Sequence, residues 1–270
     1  MNGFEREVAA GERFRFGKNW ARYLTVLDDE RILQAEASLK GMLEVDTLAG
    51  KSFLDVGSGS GLFSLAARRL GANVVSFDYD PDSVACTQKL QAKYFANDAR
   101  WTITRGSVLD ADFLRSLGQF DIVYAWGVLH HTGRMWQALE NVQASVKNGG
   151  CLFIMIYRDL GLKSRVWKRV KRTYCSGLLG RLAMTGIFVP YFCLRDLVES
   201  LVRFKNPAAS YREYKKRRGM SKYHDWVDWL GGYPYEYAKP SEVIGTCNQR
   251  GLDLIKNVGP EYVFRRNQPE

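Results

Sequence analysis

The stretch that most restricts how this chain can fold is Lys51 to Gly61, KSFLDVGSGSG, which runs on into LFSLAARRLGA. An apolar run meets three glycines at alternating positions, and the residues after them have the spacing of a helix. Strand, tight turn, helix is the reading. Gly57, Gly59 and Gly61 tolerate positive φ and carry no Cβ, so the main chain can pass close to a ligand and present N–H groups to it at a helix N-terminus.

The spacing of the glycines narrows the ligand. A dinucleotide fingerprint puts its third glycine five residues after the first, and that position here is Leu62. Instead an acid, Asp55, stands two residues before the first glycine. A β-rich run from Asn73, NVVSFDYD, then ends in Asp78, about where doubly wound folds bring a carboxylate to ribose hydroxyls. Asp80-Pro81 opens a second crossover helix as N-cap and first helical residue. WTITRGSVLD reads as a third strand with its following loop. In QFDIVYAWGVLHHTG a fourth strand, Asp121 to Ala125, delivers Trp126, Gly127, His130 and His131 at its C-terminal end, the edge where open α/β sheets bind ligands. MWQALENVQASVKNGGCLFIMIYRD supplies a fourth helix, a Gly149-Gly150 turn and a fifth strand, with Tyr157 and Asp159 at its end.

From Lys51 to Asp159 the chain resembles the class I S-adenosylmethionine (SAM) methyltransferases, through D-x-G-x-G-x-G, the acid after the second strand and the strand before L-H-H. The ubiquinone and menaquinone biosynthesis methylases are the nearest general likeness. The resemblance implies an α/β fold: a Rossmann-like seven-stranded sheet with helices on both faces and a helical insertion between strands five and six. It implies SAM as cofactor, released as S-adenosylhomocysteine, and no metal. Asp55, Gly57, Ser58, Gly59, Gly61, Asp78, Tyr79, Ser107, Val108 and Trp126 are the residues expected to hold it. Many relatives carry an acid where this chain has Ser107, so the adenine contact falls to Ser107 or the backbone at Val108, with Asp110 as a nearby substitute. Trp126 or Tyr79 is expected to offer a π face to the sulfonium or adenine. For an acceptor hydroxyl or phenol, a base near neutral pKa is useful; His131 is the first choice and His130 the second. Trp20, Tyr157, Trp229 and Tyr233 are the expected acceptor-side residues, and Asn19 and Trp20 lie where related enzymes close their pocket.

Charge divides the chain unevenly. Of a net charge of +10, the segment from Arg158 to Arg218 carries +12, with Lys168, Arg169, Lys171 and Arg172 as a dense run. Four regions follow: an N-terminal helical cap (1–50), the SAM-binding core (51–159), a basic and apolar helical insertion acting as a lid (160–222), and the completion of the sheet (223–270). The insertion reads as a helical subdomain with a solvated basic face, or as a lid for an anionic membrane surface or a lipid-linked substrate. Nucleic acid is the third alternative, with no recognised RNA-binding motif to support it. The expected function is methyl transfer to a small or lipid-linked acceptor, preferably at oxygen; the alternatives are an RNA or protein methyltransferase and a non-catalytic SAM-binding protein. Five scattered cysteines fit no disulfide framework. The charged N-terminus is no secretory signal, and the uncharged run Leu182–Leu194 is too short to span a bilayer. A cytoplasmic location, peripheral at the inner membrane surface at most, is the expectation.

Overall fold

The computed structural model describes residues 3–203, 206 and 222–268. Three helices, α1 (Gly3–Ala9), α2 (Gly17–Leu24) and α3 (Asp29–Leu43), precede the sheet. Asp28 starts α3 from an extended conformation, its carboxylate accepting the Arg31 N–H, and the helix buries Ile32, Ala35, Leu39 and Leu43. The core then alternates strand and helix: β1 (Ser52–Val56), α4 (Leu62–Arg69), β2 (Asn73–Asp78), α5 (Pro81–Tyr94), β3 (Trp101–Arg105), α6 (Ala111–Leu117), β4 (Phe120–Trp126), α7 (Met135–Ala144) and β5 (Val146–Met155). The insertion contributes α8 (Leu162–Cys175), α9 (Leu178–Val202) and α10 (Lys222–Gly231), and α11 (Pro240–Asn248), β6 (Leu252–Val258) and β7 (Glu261–Arg266) complete the chain.

The strands form one seven-stranded sheet in the order β3-β2-β1-β4-β5-β7-β6. β1 pairs in parallel with β2 on one side and β4 on the other, so the order reverses there and leaves a crevice at the strand ends. β7 is antiparallel to both β5 and β6. Successive residues face opposite cores, as a pleated strand requires. Leu54, Val123, Leu152 and their neighbours pack with α7 and α11, whereas Phe53, Tyr124 and Phe153 pack with α3 and α4.

Two sequence expectations change. Gly149-Gly150 is not a turn ahead of the fifth strand but a bulge inside it, between Val146, which pairs with Phe120, and Cys151, which pairs with Ile122. A Cβ on Gly150 would stand 2.9 Å from the Asp121 and Lys147 carbonyl oxygens, so only glycine fits. Secondly, α9 continues through Pro190 for 25 residues and, by length and composition, is long and apolar enough to cross a membrane. It packs with α8 and α10 in a third apolar cluster centred on Tyr174, Phe192 and Leu230, against which Trp167, Phe188, Trp226 and Phe14 are laid. The far end of the basic segment, Lys205 and Arg212 to Arg218, lies outside the described residues.

Candidate active site

The glycine turn sits at the crevice. Gly57, Gly59 and Gly61 take φ of 70°, 56° and 82°, all in the left-handed region. The N–H groups of Gly57 and Ser58 both donate to the Phe77 carbonyl, at 2.8 and 3.0 Å, and that of Gly61 donates to Ser58 O. Gly59 N–H donates to Asp78 Oδ2 at 2.9 Å. These amides tie the turn to β2 and to itself, so the groups left to meet a ligand are mainly carboxylates. Asp55 is buried and accepts the Ser64 hydroxyl; burial, above all, pushes its carboxyl up to about 7, and nearby Asp78 adds to the rise. Asp78 also accepts from Asp80 N–H at 2.9 Å, and burial lifts it to about 6. Ser58 Oγ lies 2.9 Å from Thr87 Oγ1.

Close packing covers the turn on two sides. A Cβ on Gly57 would come within 2.6 Å of Val128, in the loop after β4, and one on Gly59 within 3.0 Å of the Trp20 indole nitrogen. Trp20, expected on the acceptor side, is thus placed on the glycine turn. The N-terminal segment is further fixed by Gly17 N–H, which donates to Asp80 Oδ2 at 2.8 Å, and by Tyr79, whose hydroxyl donates to Glu7 Oε1 at 3.1 Å.

Several expected cofactor contacts are engaged elsewhere. Tyr79 meets Phe4 edge-on, with the Arg13 guanidinium 5.2 Å from its ring centroid. Trp126 spends its indole N–H on Glu261 at 2.7 Å and stacks on Phe63, because the β4 pleat turns it towards α4, and it stays exposed at the sheet edge. Asp110 is the N-cap of α6, its Oδ1 accepting Phe113 N–H at 3.0 Å. Ser107 Oγ accepts from Leu109 N–H at 3.2 Å; the Val108 side chain is buried and its carbonyl accepts from Asn141.

Beyond β4 a single 3-10 turn, Leu129–His131, orients the two histidines differently. His131 is half-buried, with Nδ1 2.6 Å from the Pro234 carbonyl oxygen. A carbonyl can only accept, so Nδ1 carries the proton and Nε2 keeps a lone pair. Burial is the main reason its pKa falls to about 3, partly countered by the Pro234 bond and reinforced by Lys171 and Arg13. Arg13 also donates to the His131 carbonyl at 3.0 Å and pairs with Glu7 at 2.6 Å, so one guanidinium touches both the Tyr79 and the histidine sides. His130, by contrast, is fully enclosed; among the described residues neither ring nitrogen has a partner in good hydrogen-bond geometry, and burial, countered only in part by the nearby Met155 backbone, holds its pKa well below the usual value. Its ring lies 4.0 Å from Tyr157, centroid to centroid, and Tyr157 in turn meets Tyr235 at 5.3 Å and Trp229 at 6.1 Å. Burial pushes the Tyr157 hydroxyl up to about 12.

Lys171 was not among the expected site residues. The basic run containing it reads as a surface, but Lys171 is buried; its ammonium donates to the Trp229 carbonyl and stands 4.1 Å from the Trp229 ring centroid and 5.1 Å from that of Tyr235. Burial lowers its pKa to about 7. The available signal is helical phase: Trp167, Lys171 and Tyr174 are spaced four and three apart on the face that packs inward. Tyr233, expected beside the acceptor, lines a separate cleft of about 230 Å³ with Arg165, Lys168, Arg169 and Arg172.

A doubly wound sheet of this order, with a glycine turn at the switch point and an acid closing β2, defines the class I methyltransferase fold. Residues 54–152 match the family model described as a methyltransferase domain. Among curated proteins, a tRNA U34 carboxymethyltransferase of Methylococcus capsulatus is 33% identical over 108 residues, 40% of this chain and 32% of that protein. A ubiquinone biosynthesis O-methyltransferase of Methylobacterium nodulans is 24% identical over 216 residues, 80% of this chain and 65% of that protein. The chain therefore spans about a third to two thirds of the length of these relatives. Among solved structures, an O-methyltransferase family protein from Burkholderia thailandensis aligns over 90% of this chain and 59% of its own, with a TM-score of 0.55 at 13% identity. A magnesium protoporphyrin IX methyltransferase from Synechocystis PCC 6803 with bound SAH aligns over 93% and 95%, with a TM-score of 0.53 at 12% identity. These likenesses establish the fold.

Proposed function

We propose that this protein transfers a methyl group from SAM to a hydroxyl of a small or lipid-linked acceptor, with His131 as the general base. The residues present suit a cationic cofactor: two carboxylates lie at the glycine turn, Asp55 buried against Ser64 and Asp78 half-buried on the Gly59 N–H, and among the described residues neither has a basic side chain as a hydrogen-bond partner. Asp78 has lone pairs beyond the two taken by Gly59 and Asp80, enough for a ribose diol. Bound there, SAM supplies a methyl carbon already activated on a sulfonium. The chain's tasks are alignment and the handling of one proton, and well-oriented reactants alone gain effective molarities of ~10⁵ M or more.

The observation that carries the reading is the tautomer of His131. With Nδ1–H held by Pro234, Nε2 is a neutral acceptor beside Tyr157 and Phe16. A base with a pKa near 3 removes little proton from a resting phenol or alcohol. As its oxygen is methylated the acceptor O–H would become a far stronger acid than imidazolium, and Nε2 would take that proton downhill. His130, enclosed behind Tyr157, supports the ring wall instead. The test is a screen of hydroxylated and aminated acceptors with methyl-deuterated SAM, read by mass. Products labelled on oxygen and absent with His131→Ala are expected; labelling confined to amines or thiols would remove the oxygen assignment, and failure to bind SAM would remove the whole reading.

A further inference from the structure

The strongest unexplained feature is that α9 is apolar on two sides. Its inner row, Met184, Phe188 and Phe192, closes the third cluster against Trp167 and Trp226. On the other side Ile187, Tyr191, Leu194, Val198 and Leu201 follow one another at steps of four and three residues, exposed to 59%, 54%, 61%, 50% and 60%. Leu179 and Leu182, earlier on the helix, are exposed as well, at 83% and 60%. A helix lying on a soluble domain carries polar residues on that face, and a contiguous apolar patch rimmed by charge marks an interaction surface.

We propose that this stripe is a docking surface for an anionic lipid bilayer, on which α9 lies in the interface without crossing it. Its uncharged centre, Leu182 to Leu194, is bounded by Arg181 and Arg195. At ~1.5 Å per residue it covers roughly 20 Å, against ~30 Å of hydrocarbon. One side of the helix is moreover already held by aromatic side chains of the insertion. An amphipathic element of this kind sinks its apolar face to the headgroup boundary and takes added attraction from basic neighbours. Basic residues flank the stripe: Arg181 and Arg195 bound its uncharged centre, and Arg165, Lys168, Arg169 and Arg172 are exposed on α8, the neighbouring helix, where they line the cleft with Tyr233. The inward-turned Lys171 takes no part in this surface. Charge also separates the possible occupants. A second copy would bring its own cationic α8 to the same face, and an RNA would meet the cations but leave the leucines in water. Phosphate headgroups over acyl chains match both features together.

The proposal is independent of the catalytic assignment, and its test reads no methyl transfer. The full chain is sedimented with vesicles of phosphatidylcholine alone and of equimolar phosphatidylcholine and phosphatidylglycerol. Wild type is expected to pellet with the mixed vesicles and release in high salt. Combined Ile187→Glu, Leu194→Glu and Leu201→Glu, all at exposed positions, should stay in the supernatant with unchanged circular dichroism and SAM affinity. Arg165→Gln with Arg169→Gln should weaken the mixed-vesicle affinity by about fivefold per residue. Wild type that ignores both vesicles, or a glutamate variant that binds undiminished, overturns the proposal. So does a wild-type dimer in analytical ultracentrifugation that the glutamates dissociate, or binding to an RNA oligonucleotide with none to either vesicle.

Discussion

The two halves of the site meet where β1 adjoins β4, and burial acts on them in opposite senses. Around the glycine turn the ionisable groups are acids, and burial raises Asp55 to about 7, Asp78 to about 6 and Asp80 above its ordinary value. Around the loop after β4 they are bases, and burial lowers His131 to about 3, His130 well below its usual value and Lys171 to about 7. Each half is driven towards its uncharged form, the acids for want of a cation and the bases for want of an anion. On the proposed reading, a cationic cofactor beside the first and the proton of an acceptor hydroxyl beside the second supply what each lacks. The pH dependence of stability differs accordingly. A carboxyl whose folded pKa exceeds its unfolded one holds protons that the unfolded chain has released, so stability falls as pH rises from about 4 to 7. A base whose folded pKa is depressed does the reverse: stability rises between about 3 and 6.5 for His131, and between about 7 and 10.5 for Lys171.

The largest expected effect tests the base half. His131→Ala should lose about 10² to 10⁴ in methyl-transfer rate, with SAM affinity retained in calorimetry. His131→Gln, polar but not basic, should be nearly as slow. With a pKa near 3 the wild-type imidazole is neutral across the ordinary range, so the rate should be level through neutrality and not climb between pH 6 and 7. A Gln variant with near wild-type turnover would reduce His131 to a spacer and leave the second half of the comparison without a proton acceptor.

The acid half should respond in binding. Asp78→Ala removes a charged group that holds Gly59 N–H and Asp80 N–H as well as any ribose, and should weaken SAM by about 1.5 to 3 kcal/mol, roughly ten- to a hundredfold. Undiminished affinity in a folded variant would refute the assignment. Asp55→Asn sharpens the contrast differently: in thermal unfolding of the SAM-free protein the variant should gain on the wild type as pH rises from about 4 to 7, by about 1 kcal/mol or more at pH 7. A difference between the two that is constant over that window would mean that Asp55 is solvated.

The nucleotide half was legible in the sequence because each of its parts is local. The Gly57–Gly61 turn, Asp78 at the end of β2 and the Asp80-Pro81 helix start are short-range signals of strand, turn and cap, and the sheet order follows once they are strung together. The acceptor half is assembled from distant segments: His131 is oriented by Pro234, about a hundred residues on, and by Arg13 from the N-terminus. Pattern alone gave the histidine pair but could not say which ring is enclosed. Trp126 and Asp110 show local rules acting beside family position: strand alternation brings the indole N–H to Glu261, and helix capping gives one carboxylate oxygen to Phe113 N–H. Lys171 is the case that pattern conceals, since a run of five Lys/Arg in eight residues from Arg165 hides the one that turns inward.

That residue provides the smallest effect and the most direct test of the acceptor half's polarity. Below about pH 7 both the folded and the unfolded chain carry the Lys171 proton, and the folded state bears the full cost of a buried ammonium that has a carbonyl and two ring faces but no carboxylate among its described contacts. Above about 10.5 neither state is charged and the cost is gone. Lys171→Met has similar volume and no charge, but it forfeits the bond to Trp229, worth about 1 kcal/mol. At pH 6 the variant should therefore be more stable than wild type by about 1 kcal/mol or more after that loss, at least roughly 2 to 4 °C in Tm. The advantage should shrink through pH 8 and 9 and reverse near pH 10, where the lost hydrogen bond alone remains. Equal melting curves at every pH would show that the ammonium reaches water, and a variant less stable throughout would show that the aromatic wall is built on the cation rather than in spite of it.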